Sequence, residues 1–276
     1  MVKKISNMYE LITEENMNLV LNYDFTTDYY KEILKQINEH GSSNLSLDYN
    51  LSPLENVKRI TRKHVDIYYS EKEILAGYYI YNRVYINNKL PDSQQIVTLI
   101  HELTHHIYAE IFEIWLLDIF DVEKSSIIGS FVMFMLNNSI ENRAANEYFS
   151  YIVEGRFTPV KYHNYIAFIQ LLIDLNIDVE KYKNLFIFIN EISDDVTLIL
   201  KSVIDSELQK KIDIQFELDE IEPLNQELIF DYADKHFTVE EVIEIIKEMV
   251  YFIFDYFING EGNIDELEDY VHKFDK

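Results

Sequence analysis

Ile100-His101-Glu102-Leu103-Thr104-His105-His106 holds a His-Glu-x-x-His pattern inside a long apolar run that reads as one helix. Two histidines four residues apart fall on the same face of an α-helix, one turn above each other, where both imidazoles reach a single ion. Glu102 lies beside that face, within reach of a water on the same ion. Two neutral nitrogen ligands, an open position and a carboxylate to take the water's proton are the minimum equipment of zinc-activated hydrolysis.

Outward from this stretch, composition narrows the partners. The chain has 276 residues and is 48% hydrophobic, enough to bury a substantial core. No apolar run reaches the roughly 18 to 20 residues of a membrane span, and the first residues lead into polar sequence, so a cytoplasmic protein or one delivered by another route is expected, with no membrane partner. Cysteine is absent, which leaves histidines and carboxylates as the strong metal ligands. A formal net charge of −25 argues against nucleic acid, because a phosphate backbone calls for clustered Lys and Arg. The same acidity serves solubility.

Upstream, a helix is expected over residues 28–40, with Tyr30, Ile33, Leu34 and Ile37 at helical spacing, Thr27 as its cap and Gly41 as its end. Residues 44–88 change to alternation: Leu45-Ser46-Leu47-Asp48-Tyr49, then 65–68, 78–81 and 84–87 read as half-buried strands of a three- or four-stranded, mixed or antiparallel sheet. Asp92 or Ser93 then caps the metal helix at 93–120, with Gln95 as reciprocal partner. Downstream helices are expected at 127–136, 140–155, 162–175, 179–192, 196–210, 225–234, 239–257 and 265–274. The most charged stretch, 210–222, reads as a loop or boundary. The fold class is therefore α+β and mainly α, with a metallo-domain at 1–158 and a helical region at 159–276.

The Gly77-Tyr78-Tyr79, Val84-Tyr85-Ile86-Asn87 and His101-Glu102-Leu103-Thr104-His105 segments together resemble the zincin metallopeptidases, most closely small bacterial and phage-type members including the ImmA/IrrE-like group. The resemblance covers roughly residues 75–155 and implies a zinc-dependent peptidase acting on a protein or peptide. A catalytic zinc takes a third protein ligand. The third His of metzincins is missing, since His105 is followed by His106-Ile107-Tyr108-Ala109-Glu110. A Glu from a later helix, as in gluzincins, is the natural substitute. Glu147 lies in Asn146-Glu147-Tyr148-Phe149-Ser150, similar to the ligand segment of thermolysin-like enzymes, and Ala144 and Ser150 would let its helix approach closely. Glu141 is the alternative: Glu141-Asn142-Arg143-Ala144 is similar to the ligand segment of other gluzincins, and Asn138-Ser139-Ile140-Glu141 also has capping-box spacing.

The expected mechanism has Glu102 accept a proton from the zinc-bound water and pass it to the leaving amine. The oxyanion needs a further donor, for which Tyr148, Tyr151, Arg143, His106 and His163 are candidates. With 21 tyrosines in the chain, core packing competes for each of them. The alternative to a peptidase is an interaction module of a phage, plasmid or toxin system in which zinc is structural. Residues 257–268 resemble a calcium-binding EF-hand loop, but Phe257 occupies the first ligand position, which favours a plain helix–turn–helix.

Overall fold

The computed structural model describes residues 4–70, 75–226, 235–260 and 262–271. The fold is α+β and mainly α, 66% helical with a three-stranded sheet. In chain order it runs α1 (Met8–Leu11), α2 (Glu14–Asn22), α3 (Thr27–Ser42), α4 (Pro53–Thr61), β1 (Asp66–Tyr69), β2 (Gly77–Ile80), β3 (Arg83–Ile86), α5 (Asp92–Phe120), α6 (Ser126–Asn137), α7 (Ile140–Gly155), α8 (Ile166–Asp174), α9 (Lys183–Val203), α10 (Ser206–Leu218), α11 (Val239–Ile258) and α12 (Ile264–Val271). Contact density divides it into two units: Met1–Ile33 with Ala109–Arg143 and Phe237–Lys276, and Leu34–Tyr108 with Ala144–His236.

The first unit is helical. Helix α11 packs on α2 and α6, and α12 packs on α6 and α1. Its core is aromatic: Trp115 stacks on Phe25 with ring centroids 4.9 Å apart, and Phe254 meets Phe131 at 5.3 Å. Thr238 and Glu241 form the capping box that starts α11. Capping also starts α3, although Thr26, not Thr27, supplies the hydroxyl, accepting from the Tyr29 N–H at 3.3 Å.

The second unit holds the sheet and the first half of α5. Strand order is β1-β3-β2, with β1 parallel and β2 antiparallel to β3, so β2 is an edge. Val84 and Ile86 point inward and are fully buried, while Tyr68, Tyr85 and Tyr78 share one cross-strand row and stack, with centroids 5.3 and 4.6 Å apart. The expected strand at 45–49 does not form. Buried Asn56 instead clamps this segment, its amide donating to the Asp48 carbonyl at 2.9 Å and its oxygen accepting from the Asp48 N–H at 3.0 Å. That side chain belongs to α4, whose start at Ser52 with Pro53 in the first turn was not anticipated.

Other boundaries also moved. Ser193-Asp194-Asp195 reads as a break between helices, yet α9 runs through it, because the Ser193 hydroxyl bonds the Asn190 carbonyl at 2.7 Å and Asp194 pairs with Arg156. The break falls at Asp205, whose carboxylate accepts from the Glu207 and Leu208 N–H groups and starts α10. Most of the charged stretch 210–222 is therefore helical. The first turn of α5 takes its acceptor from Asp219, which receives the Ser93 N–H at 2.7 Å. The expected helix at 225–234 lies almost wholly outside the described residues, as does part of the 257–268 loop.

Edge strand β2 runs hard against α5. A Cβ on Gly77 would lie 2.4 Å from Thr98 Cγ2 and 2.8 Å from the Tyr85 carbonyl oxygen. Gly77→Ala is expected to push the strand off the helix and cost about 1–3 kcal/mol, as overpacking does. Urea unfolding would read this, and an unchanged midpoint would contradict the close approach.

Candidate metal centre

Helix α5 carries His101 and His105 one turn apart, and α7 presents Glu147 to both. His101 Nε2 lies 3.6 Å from Glu147 Oε2, and His105 Nε2 lies 4.0 Å from Glu147 Oε1. One ligand atom from each of the three residues falls within 4.8 Å of the others. Tetrahedral bonds of about 2.1 Å place neighbouring ligand atoms about 3.4 Å apart, so small side-chain rotations close the set around one ion. The donors, two imidazole nitrogens and a carboxylate oxygen, suit zinc.

The far nitrogens are fixed as well. His101 Nδ1 donates to Glu154 Oε2 at 2.7 Å, and His105 Nδ1 donates to Asn146 Oδ1 at 2.9 Å. In the neutral rings these bonds choose the tautomer that turns each Nε2 lone pair toward Glu147, the form a metal would take. Asn146 and Glu154 were missed in the sequence reading, although a signal existed: Glu147, Tyr151 and Glu154 stand at i, i+4 and i+7 on one face of α7. Glu154→Ala should lower zinc affinity about 10–100-fold, as loss of an outer partner does, measured by competition with a chromophoric chelator. Unchanged affinity would contradict the orienting role.

Glu102 is buried, at 6% exposure, and its carboxylate accepts the Tyr79 N–H. The β2–β3 ladder leaves that N–H pointing away from β3, because Asn87 N–H bonds the Ala76 carbonyl and the pattern alternates from there. Burial pushes Glu102 up to about 8, opposed by the His101 charge and reinforced by Glu147 and Glu154. His101 is held well above the ordinary histidine range: burial acts against protonation, but the carboxylates of Glu147, 3.6 Å away, and of Glu154, hydrogen-bonded at 2.7 Å, outweigh it. Burial lowers His105 to about 4.

Since Glu102 is raised, the proton it holds favours the metal-free fold below pH 4.5, and that contribution is lost as pH rises through about 8. In the metal-free site both shifts favour the protonated forms of His101 and Glu102. Zinc takes neutral imidazole, so its binding should release about one proton or more and weaken as pH falls. Calorimetry in buffers of different ionisation enthalpy reads the number released; none at pH 7 would contradict the assignment.

The other candidates separate clearly. Glu141 sits in the first turn of α7 and, among the described residues, joins no cluster of metal-type ligands. Tyr148 is 1% exposed and packs its ring on Phe168 and Phe186. Tyr151 is half-buried, with its ring 4.8 Å from that of His101 and its hydroxyl pKa raised by burial and by Glu154, Glu147 and Glu102. His163 Nε2 lies 2.9 Å from the Gly155 carbonyl and 3.0 Å from that of Thr158, so its N–H caps the end of α7. His106 turns the other way and meets the Tyr79 hydroxyl through Nδ1 at 3.1 Å. Arg143 lies beside Glu141 in the first unit. Comparison with protein-family models, with curated proteins and with solved structures gave no match to this chain.

Proposed function

We propose that this chain is a single-zinc peptidase. The observation that supports the reading best is convergence: both Nε2 atoms of the His101–His105 pair face Glu147, while Glu102 lies alongside with no metal-ligand duty. His101, His105 and Glu147 would hold the ion, with Glu154 and Asn146 fixing the imidazoles. Zinc bound there supplies Lewis acidity, which acidifies water and polarises a carbonyl. Glu102 would take a proton on its carboxylate and return it to the leaving amine. Tyr151 is the hydroxyl best sited to donate to a developing oxyanion, being the candidate in ring contact with His101.

The test is cleavage of a mixed peptide library by the zinc-loaded protein, read by mass spectrometry. New termini that appear with zinc and vanish with a chelator are expected. A zinc-loaded protein that cuts nothing in the library or in denatured protein substrates would overturn the reading in favour of an interaction module with structural zinc.

A further inference from the structure

The chain carries 49 acidic against 24 basic residues, so a basic side chain with no acidic neighbour is conspicuous. Several are paired: Lys58 with Glu55, Lys124 with Glu113, Arg156 with Asp194, Lys161 with Glu217. Arg59, Arg62 and Lys63 are different. Among the described residues none of the three forms an ion pair, and Glu55, one turn before Arg59, is taken by Lys58 at 2.9 Å. Together with Asn44, Leu45 and Ser46 they line a cavity of about 280 Å³ between the α3–α4 loop and the end of α4.

The cavity is open to solvent, but the loop that lines it is fixed. Lys63 Nζ bonds the Ser43 carbonyl at 2.6 Å, and fully buried Asn56 ties Asp48 to α4, so the loop is held at both ends. Asn44 adopts φ 51°, the left-handed turn that redirects the chain before Leu45 and Ser46. Like charges three and four residues apart repel; the C-terminal dipole of α4 favours cations at this end, and an anion between them would relieve the remaining repulsion. Two guanidiniums and an ammonium, with a hydroxyl and an amide beside them, match the oxygens of a phosphate, which guanidinium groups bind through paired N–H donors. The volume falls just under the ~300 Å³ at which pockets for drug-sized ligands begin, so a phosphate with at most a small substituent fits.

We propose that this cavity binds a phosphate group, either free phosphate or a small phosphate monoester, independently of the metal centre. The test titrates the full chain with inorganic phosphate and, separately, with phenyl phosphate, by calorimetry, on wild type, Arg59→Ala, Arg62→Ala and His105→Ala. Saturable binding of one equivalent of either probe is expected, weakened about tenfold or more by each arginine substitution and unchanged in His105→Ala. Tighter binding of one probe identifies free phosphate or the ester as the ligand. Failure of both probes to saturate, or binding that survives both arginine substitutions, overturns the proposal. In the second case phosphate sits elsewhere, and loss in His105→Ala would put it at the metal centre. Both arginines are at least partly solvent-exposed, so their variants should fold, which unchanged circular dichroism verifies.

Discussion

Glu102→Gln is expected to lower peptide cleavage about 10²–10⁴-fold while zinc stays bound, the range ascribed to a positioned general base. Glutamine keeps the size and the oxygen that accepts the Tyr79 N–H, so the edge strand should stay where it is. It cannot take a proton from water at neutral pH. The proposed metal ligands His101, His105 and Glu147 are untouched, so metal content should match wild type. Stability should not fall either, since a buried neutral amide replaces a carboxylate that burial already drives toward its protonated form. Initial rates and zinc content measured on the same preparation separate the outcomes. A full-rate, zinc-loaded variant would mean that Glu102 is not the base.

Glu147→Ala should have the largest effect on the metal. Removing an outer partner of a ligand costs about 10–100-fold in affinity, and removing the ligand itself should cost more. With Glu147 gone, only two imidazoles remain in the cluster. Glu141→Ala should bind zinc as wild type does, since Glu141 joins no such cluster among the described residues. The opposite result, zinc lost in Glu141→Ala and kept in Glu147→Ala, would reassign the third ligand.

How far this could be read from residues alone depended on the range of the interactions. His101, Glu102 and His105 were legible because their relation is set by one helix, whose geometry is known in advance. Choosing between Glu147 and Glu141 required the packing of α7; in the chain, the local hints were the small residues Ala144 and Ser150, both fully buried, and the segment around Glu147. Glu154 was missed because a single Glu late in a helix usually faces solvent; its burial against His101 is a tertiary fact. Tyr148 and Tyr151 look equivalent in the chain, yet one is enclosed by Phe168 and Phe186 and the other borders His101. The false strand at 45–49 has the same origin, since its alternation is local whereas the Asn56 clamp comes from the next helix. The start of α4 was legible and overlooked: Ser52-Pro53 followed by Glu55 carries the capping signal.

The central claim, that two imidazoles and one carboxylate converge on zinc, is tested most directly by X-ray absorption at the zinc edge on the loaded protein. A four-coordinate shell is predicted, with nitrogen and oxygen at about 2.0–2.2 Å and the outer-shell scattering of two imidazole rings. The imidazole signal should drop in His105→Ala. A chain that retains no zinc after loading, or a shell of oxygen alone without imidazole scattering, would contradict the account.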